Sequence, residues 1–186
     1  MAARETILDA AAKVMREKGI ARATTREIAR EAGYSEALLY KHFADKQEIY
    51  LSVLKERAGG AVAPLEAGSG DLHDNLVEAT HGLMDFYVAS FPMSASIFSD
   101  SDLLVAWREG MTARGAGPRG PIRGIERYLD GEVELGRLPA GFDSYAAASL
   151  LAGAAFQHAF LACFDGLEAV PDGAAIAERL VKALVL

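Results

Sequence analysis

The sequence predicts an all-α protein, and three observations carry that prediction. Apolar residues recur at spacings of three and four along most of the 186-residue chain, which is the pattern of helices with one buried face. Thr24 with Glu27, and Asp45 with Glu48, stand three positions apart, as residues that cap helix starts do. Glycine and proline gather in short stretches such as residues 112–121, which are typical of loops. We therefore expect a series of helices joined by loops.

The first two helices follow from these signals in order. A helix that begins close to the first residue ends at Gly19, and a second begins near Thr25 behind the capping pair Thr24 and Glu27. Gly33 ends the second helix, because a glycine just past the last turn readily adopts the left-handed conformation of a C-cap. The predicted inward-facing residues are Ile7, Leu8, Ala11, Val14, Met15, Ile28, Ala29 and Ala32.

A third helix restarts within three residues of that glycine. Ser35 is placed to cap it, and Tyr34 and Leu39 are spaced to form a hydrophobic staple that fixes the angle between the two helices. Within the helix 36–43, Leu39 and Phe43 are four apart and are predicted to face the core. Two short helices held at a fixed angle are typical of a helix-turn-helix, whose second helix enters the major groove of DNA.

Residues 4–57 resemble the amino-terminal signature of the TetR-type transcriptional regulators. The matching motifs are Thr24-Thr25-Arg26-Glu27-Ile28-Ala29, Ala32-Gly33, Leu39-Tyr40-Lys41-His42-Phe43 and Asp45-Lys46. The spacing from the first helix into the fourth also agrees, which makes this match more specific than a lone helix-turn-helix. The resemblance implies an amino-terminal three-helix helix-turn-helix DNA-binding domain, followed by a carboxyl-terminal helical ligand-binding and dimerisation domain.

The outward side chains of the third helix are the candidates for base recognition. A carboxylate accepts a hydrogen bond from cytosine N4, an apolar side chain contacts a thymine methyl group, and a lysine donates to guanine. The residues concerned are Glu36, Ala37, Leu38 and Lys41. Glu36 and Leu38 depart from the family, which more often has Lys and Thr at these positions, so the operator sequence does not carry over.

Other predicted contacts position the protein on the phosphate backbone. The resemblance implies such contacts from Tyr40, Lys46 and either Thr24 or Thr25, and Ser35 and His42 complete the predicted DNA-binding set. For any one of these residues an ordinary helix cap or solvated helix surface is an alternative interpretation. The ordered succession of caps, turn and staple favours DNA binding for the set as a whole.

Charge is divided unevenly along the chain. The net charge is −7 and the pI is near 5.1, which argues against a generic nucleic-acid binder. Residues 1–58 contain 11 Lys and Arg against 9 Asp and Glu, whereas residues 59–186 contain 8 against 17. Because so weak a positive charge gives limited affinity for phosphates, we expect two DNA-reading heads, and hence a homodimer.

We predict two domains, a helix-turn-helix DNA-binding domain at 1–58 and a ligand-binding and dimerisation domain at 59–186. Residues 144–164 form a 21-residue stretch without a formal charge, long enough to cross a bilayer. Its high alanine content and its polar Ser149, Gln157 and His158 argue instead for a closely packed helix. With a closing helix after Pro171 it suits a dimer interface, and the alternative is the core of a monomeric domain.

The larger domain is predicted to bind a small, apolar or amphipathic effector, as the resemblance implies. Our candidate lining residues are Met84, Phe86, Phe98, Trp107, Tyr128 and Phe156, although residues of these types are individually more often plain core than pocket lining. Asp74, Glu78 and His81 share one helix face, but a solvated face is the simpler interpretation. We predict no metal, no cofactor and no enzymatic activity, since no nucleophile–base pair or phosphate-binding glycine loop is present in the sequence.

These observations together predict a cytoplasmic, ligand-responsive DNA-binding transcriptional regulator. The favoured form is a homodimeric repressor that an effector releases from a palindromic double-stranded DNA operator. The alternative is a constitutive DNA-binding protein whose carboxyl-terminal domain binds a protein partner rather than a small molecule. No contact with a membrane is expected.

Overall fold

The computed structural model describes residues 3–57, 65–99 and 101–184. Over these ranges the regular structure is helical and contains no β-strand, which confirms the predicted all-α class. The first helices are α1 (Ala3–Arg22), α2 (Thr25–Ala32), α3 (Glu36–His42) and α4 (Lys46–Arg57). They are followed by α5 (Leu72–Ser94), a 3₁₀ turn (Ala95–Ser99), α6 (Ser101–Ala113), α7 (Gly120–Glu134), α8 (Ser144–Phe164) and α9 (Gly173–Lys182).

The helices form two compact units. The amino-terminal unit comprises the described residues within 1–60 and 89–117, and the carboxyl-terminal unit those within 61–88 and 118–186. Residues 89–117 therefore pack with the helix-turn-helix, although they follow it in the chain. The predicted boundary between residues 58 and 59 lies outside the described residues, and the functional division at that point stays a prediction.

The core of the amino-terminal unit is built from α1 and the helices packed around it. Its fully buried large side chains include Leu8, Ile28, Leu39, Phe43 and Ile49, one or more from each of the first four helices. The spacing of these residues places them on one face of each helix. The predicted inward positions of the first three helices are therefore confirmed where burial is complete, and only Ala32 is partly exposed.

Gly19 ends the first continuous stretch of α1, as predicted, and a short helical segment follows it. The helix continues to Arg22 across a break at which Gly19 has φ of +71°. A Cβ atom at this glycine would lie 2.6 Å from Ser96 Oγ on the 3₁₀ turn. The Ser96 hydroxyl oxygen accepts a hydrogen bond from the Ala21 amide at 3.1 Å, so a distant segment stabilises the bent end of the helix.

Pro92 lies inside α5, near its carboxyl end. Proline lacks the amide hydrogen that would pair with the carbonyl group of Val88, four residues earlier. The Cys163 thiol donates to that same carbonyl oxygen at an S···O distance of 3.7 Å. A donor 75 residues away thus satisfies the acceptor that proline leaves open, and burial raises the pKa of the thiol.

Helix α8 is the central helix of the carboxyl-terminal unit, and it packs on α7 and α9. Its buried face consists mostly of alanine, with Ala147, Ala148, Leu151, Ala152, Ala155, Ala159 and Ala162 all buried. By length and mean hydropathy α8 alone, among the described residues, could cross a membrane, with 39% of the 18-residue window buried. A long helix of a folded core meets the same criterion, and the continuous buried alanine face agrees with the predicted packed helix.

Candidate nucleic-acid interface

The start of α2 is fixed by the predicted capping box. The Thr24 hydroxyl oxygen accepts from the Glu27 amide at 3.2 Å, and the Glu27 carboxylate accepts from the Thr24 amide at 3.2 Å. Lys18 pairs with the same carboxylate at 2.5 Å, and together these contacts lower the pKa of Glu27 to about 2, with Lys18 the largest cause. Two orphan amides of the helix start are thereby satisfied.

The turn between α2 and α3 has the geometry that a helix-turn-helix requires. Gly33 has φ of +74°, and its amide and that of Tyr34 donate to the carbonyl groups of Arg30 and Ala29 at 3.2 and 2.9 Å. This pair of hydrogen bonds is a Schellman motif. Ser35 then caps α3 by accepting from the Leu38 amide at 3.2 Å. The predicted C-cap and N-cap are both confirmed.

Helix α3 presents one face to the core and the other to solvent. Leu39 and Phe43 are buried, as predicted from their four-residue spacing. The remaining candidates for base or phosphate contact are exposed or half-buried, namely Glu36, Ala37, Leu38, Tyr40, Lys41 and His42. A seven-residue helix anchored by two buried side chains is thus free to present its outer face to a groove.

Three of the predicted DNA-contacting side chains contact one another. The Thr25 hydroxyl donates to Glu36 Oε1 at 2.5 Å, and its oxygen lies 3.2 Å from Tyr40 Oη. The contact joins the first residue of α2 to the first and fifth residues of α3. Sequence reasoning missed this cluster, because residues 11 and 15 positions apart meet only once the two helices have packed.

Lys46 also has intramolecular partners. Its ammonium group donates to the carbonyl groups of Ile20 and Ala23, at 2.9 and 3.1 Å, and so caps the carboxyl end of α1. Burial lowers the pKa of this lysine. An ammonium has three donors, so one stays available for the phosphate contact that the resemblance implied. Lys46 therefore has a structural role that the sequence did not reveal.

The start of α4 is tied to the end of α6. Asp45 Oδ1 accepts from the Glu48 amide at 2.9 Å, as the predicted cap requires, while Glu48 accepts from the Ala44 amide at 2.6 Å. Arg114 pairs with the other oxygen of Asp45 and donates to Gln47 Oε1 at 3.0 Å. The ion pair of Arg114 with this helix cap joins residues 69 positions apart, so local sequence patterns do not indicate it.

Comparison with known proteins supports the same assignment of this region. Residues 7–53 match the family model described as bacterial regulatory proteins, tetR family. This region is therefore similar to the DNA-binding region of TetR-type regulators. A Bacillus subtilis relative, the uncharacterized HTH-type transcriptional regulator YvkB, is 37% identical over 71 residues, which are 38% of each chain. The matches to curated relatives span between 31% and 58% of those proteins' length.

Solved structures of TetR-like regulators resemble the whole chain. SmeT of Stenotrophomonas maltophilia, in complex with triclosan, is 25% identical with a TM-score of 0.66, over 98% of this chain and 91% of its own. FadR of Bacillus subtilis, in complex with stearoyl-CoA, is 18% identical with a TM-score of 0.67, over 97% of each chain. The helical fold beyond the helix-turn-helix is therefore shared with these regulators.

The six predicted ligand-lining residues lie in different surroundings. Met84 and Tyr128 are buried in the carboxyl-terminal unit, where Phe86 and Phe156 are each in edge contact with the ring of Tyr87. Trp107 packs against Tyr50 in the core of the amino-terminal unit, and Phe98 of that unit is 74% exposed. The structure thus gathers four of the six in one unit, and their role in ligand binding stays a prediction.

Metal-ligand geometry is absent from the part of the chain that the structure describes. No group of three or more His, Cys, Asp or Glu side chains there is close enough to hold a metal ion. His73 pairs instead with Glu178 of α9 at 3.0 Å, and the His81 ring lies beside Gly173 at the start of α9. The histidines of α5 thus contact α9.

Proposed function

We propose that this chain is a homodimeric, ligand-responsive transcriptional repressor that binds a palindromic DNA operator in the cytoplasm. The observation that carries the proposal is the α2–α3 pair, in which both caps, the Gly33 turn and the buried anchors Leu39 and Phe43 leave one face of α3 outward. A recognition helix held in this way is suited to enter a major groove. The match of residues 7–53 to the TetR family model supports the same function.

The exposed face of α8 supports the dimer. Large apolar side chains recur on it at helical spacing, and Leu150 and Phe164 are 64% and 80% exposed. The other exposed apolar members are Tyr145, Phe156, Phe160 and Leu161. A contiguous apolar face of this kind is typical of a protein–protein interface. A second copy packed there about a two-fold axis would give two recognition helices for the two halves of a palindrome.

The effector is proposed to be a small apolar or amphipathic molecule bound in the carboxyl-terminal unit. Triclosan and stearoyl-CoA, which are bound by SmeT and FadR respectively, belong to this chemical class. SmeT is described as the repressor of a multidrug efflux pump, which supports repression rather than activation for this chain. The half-sites must lie about one DNA turn apart, roughly 34–36 Å, so an effector that favours a different separation weakens both half-sites together.

The first test is selection of genomic fragments on the purified protein at two salt concentrations, followed by sequencing. We expect enrichment of a palindromic site, and affinity for it that falls as salt rises because phosphate contacts release counterions. Retention of fragments without a common sequence would contradict the proposal of a sequence-specific regulator.

The second test concerns the effector, with stearoyl-CoA and triclosan as the first probes. Linkage requires that the operator weaken effector binding by the same factor by which the effector weakens operator binding. We therefore expect a lower affinity for the active probe when operator DNA is present. Equal affinity with and without the operator would contradict ligand-responsive release and would favour constitutive DNA binding.

A further inference from the structure

The hydrogen bonds of the Thr25–Glu36–Tyr40 cluster have a fixed direction. Ionised Glu36 is an acceptor only, so the single hydroxyl hydrogen of Thr25 is committed to Glu36 Oε1 at 2.5 Å. The contact of 3.2 Å between Thr25 Oγ1 and Tyr40 Oη then needs the hydrogen of Tyr40. The order of donation is therefore from Tyr40 to Thr25 to the Glu36 carboxylate.

This order changes what the two hydroxyl groups can do at a phosphate. The Tyr40 hydrogen is directed to Thr25 and the Thr25 hydrogen to Glu36. Neither hydroxyl can therefore donate to a phosphate oxygen while the cluster is intact. What the cluster leaves available is an acceptor. Glu36 Oε2 has no hydrogen-bond partner among the described residues, and the side chain is only half-buried, at the first residue of α3.

A carboxylate held at this position selects among the base edges of the major groove. Guanine presents two acceptors, N7 and O6, and thymine presents the acceptor O4, so each would repel it. Adenine offers the N6 amino group but places the acceptor N7 beside it. Cytosine offers the N4 amino group and has no acceptor of its own at its major-groove edge. The preference of a fixed, acceptor-only group is therefore for cytosine.

We propose that Glu36 determines operator specificity by accepting a hydrogen bond from one cytosine N4 in each half-site, and that Thr25 is the positioning residue that fixes its carboxylate. This inference rests on the proposed function as a DNA-binding regulator, and it specifies the base that the site recognises. Two hydroxyl groups that the family resemblance implied for phosphate contact serve instead to orient a base-reading side chain.

The test is selection from randomised DNA with four proteins: the unmodified chain, Glu36→Gln, Thr25→Val and Glu31→Gln. Valine matches the shape of threonine without its hydroxyl group. Glu31→Gln is the matched control, because it removes the same charge from α2, where Glu31 pairs with Lys13 at 2.6 Å. Circular dichroism and thermal unfolding establish that each variant is folded before its DNA is sequenced.

We expect a palindromic motif with a cytosine that, when exchanged, weakens binding by about tenfold or more. Glu36→Gln should lose the preference at that position alone, because an amide both donates and accepts. Thr25→Val should relax the same position in part, and Glu31→Gln should leave the motif unchanged.

A motif that keeps its cytosine with full strength in folded Glu36→Gln would overturn the inference and leave the proposed function intact. A guanine or thymine at the position sensitive to Glu36 would also overturn it. If the unmodified chain enriches no motif, the proposed function fails, and the inference fails with it.

Discussion

Large apolar side chains are buried in the helix-turn-helix but exposed on helix α8. In the first region Leu39 and Phe43 are buried, and the surface is occupied by ion pairs such as Lys13 with Glu31. In α8 the buried face is alanine, whereas Phe164 and other large apolar side chains are exposed. The helix-turn-helix therefore buries its large apolar side chains within one chain, whereas α8 leaves several of its own exposed.

This difference relates the fold of a single chain to the proposed assembly. Alanines on the inner face let α8 approach α7 closely, which requires little side-chain volume between the helices. The aromatic side chains on the outer face gain no comparable burial within the chain, and exposed apolar area of this kind is stabilised by association. The contrast predicts which substitutions affect assembly and which affect the fold of a single chain.

The largest expected effect is on assembly, from Phe160→Glu on the outer face of α8. In the proposed dimer the two-fold axis would bring the new carboxylate into the interface twice, so we expect the dimer dissociation constant to rise by at least about 1000-fold, or about 4 kcal/mol. Sedimentation velocity over a concentration series measures it. Val105→Glu, at an exposed apolar position of α6, is the control and should leave the association unchanged. A folded Phe160→Glu variant that associates normally would rule out this face as the interface.

The next effect concerns the fold of the amino-terminal unit, from Gly19→Ala. Alanine at φ of +71° is strained, and its Cβ would lie 2.6 Å from Ser96 Oγ, so we expect a loss of about 2 to 4 kcal/mol in the free energy of unfolding. Gly33→Ala is a matched control, since φ is +74° but no atom lies within 4 Å of the added Cβ. It should cost about 1 to 2 kcal/mol from backbone strain alone. Equal losses in urea denaturation of the two variants would show that the Ser96 contact is unimportant.

The two glycines also illustrate what the sequence could predict. The caps at Thr24, Gly33 and Ser35 were predictable, because each joins atoms within a few residues of one another. The short helical segment after Gly19 was not, since Ser96, which accepts a hydrogen bond from its Ala21 amide, lies 75 residues away. Local chemistry thus fixed the helix starts, while contacts between distant segments decided how α1 ends.

The same distinction holds at the candidate site. Helical spacing and the resemblance were enough to predict which residues are candidates for DNA contact. The Thr25–Glu36 hydrogen bond and the capping of α1 by Lys46 could not be predicted, because they form only between packed helices. Aromatic residues were harder to place. Trp107 was a ligand candidate on composition alone, yet it packs in edge contact with Tyr50, because no sequence pattern indicates which core an isolated tryptophan joins.

A smaller effect is expected at Cys163, where the alanine face of α8 ends. Cys163→Ala removes the donor to the Val88 carbonyl and should cost about 1 kcal/mol of unfolding free energy. Cys163→Ser keeps a donor and should retain more of the stability, as denaturant titration would measure. If the serine variant is no more stable than the alanine variant, then the carbonyl that Pro92 leaves open does not need this hydrogen bond.

The smallest expected effect is a change in acid stability at the surface of the helix-turn-helix, from Glu27→Gln. The pKa of Glu27 is about 2, below its ordinary value of 4.5, because Lys18 and then Thr24 bond the charged form. The unfolded chain therefore binds more protons between these pH values, so this stabilisation is present above about 4.5 and is lost as the pH falls through about 2. Urea unfolding at a series of pH values should give Glu27→Gln a shallower dependence in that window than the unmodified chain. Glu109→Gln removes an exposed carboxylate from α6 and serves as the control. An unchanged slope in Glu27→Gln would mean that solvent screens the pairing with Lys18, and that α2 is held by its buried residues and the Thr24 cap alone.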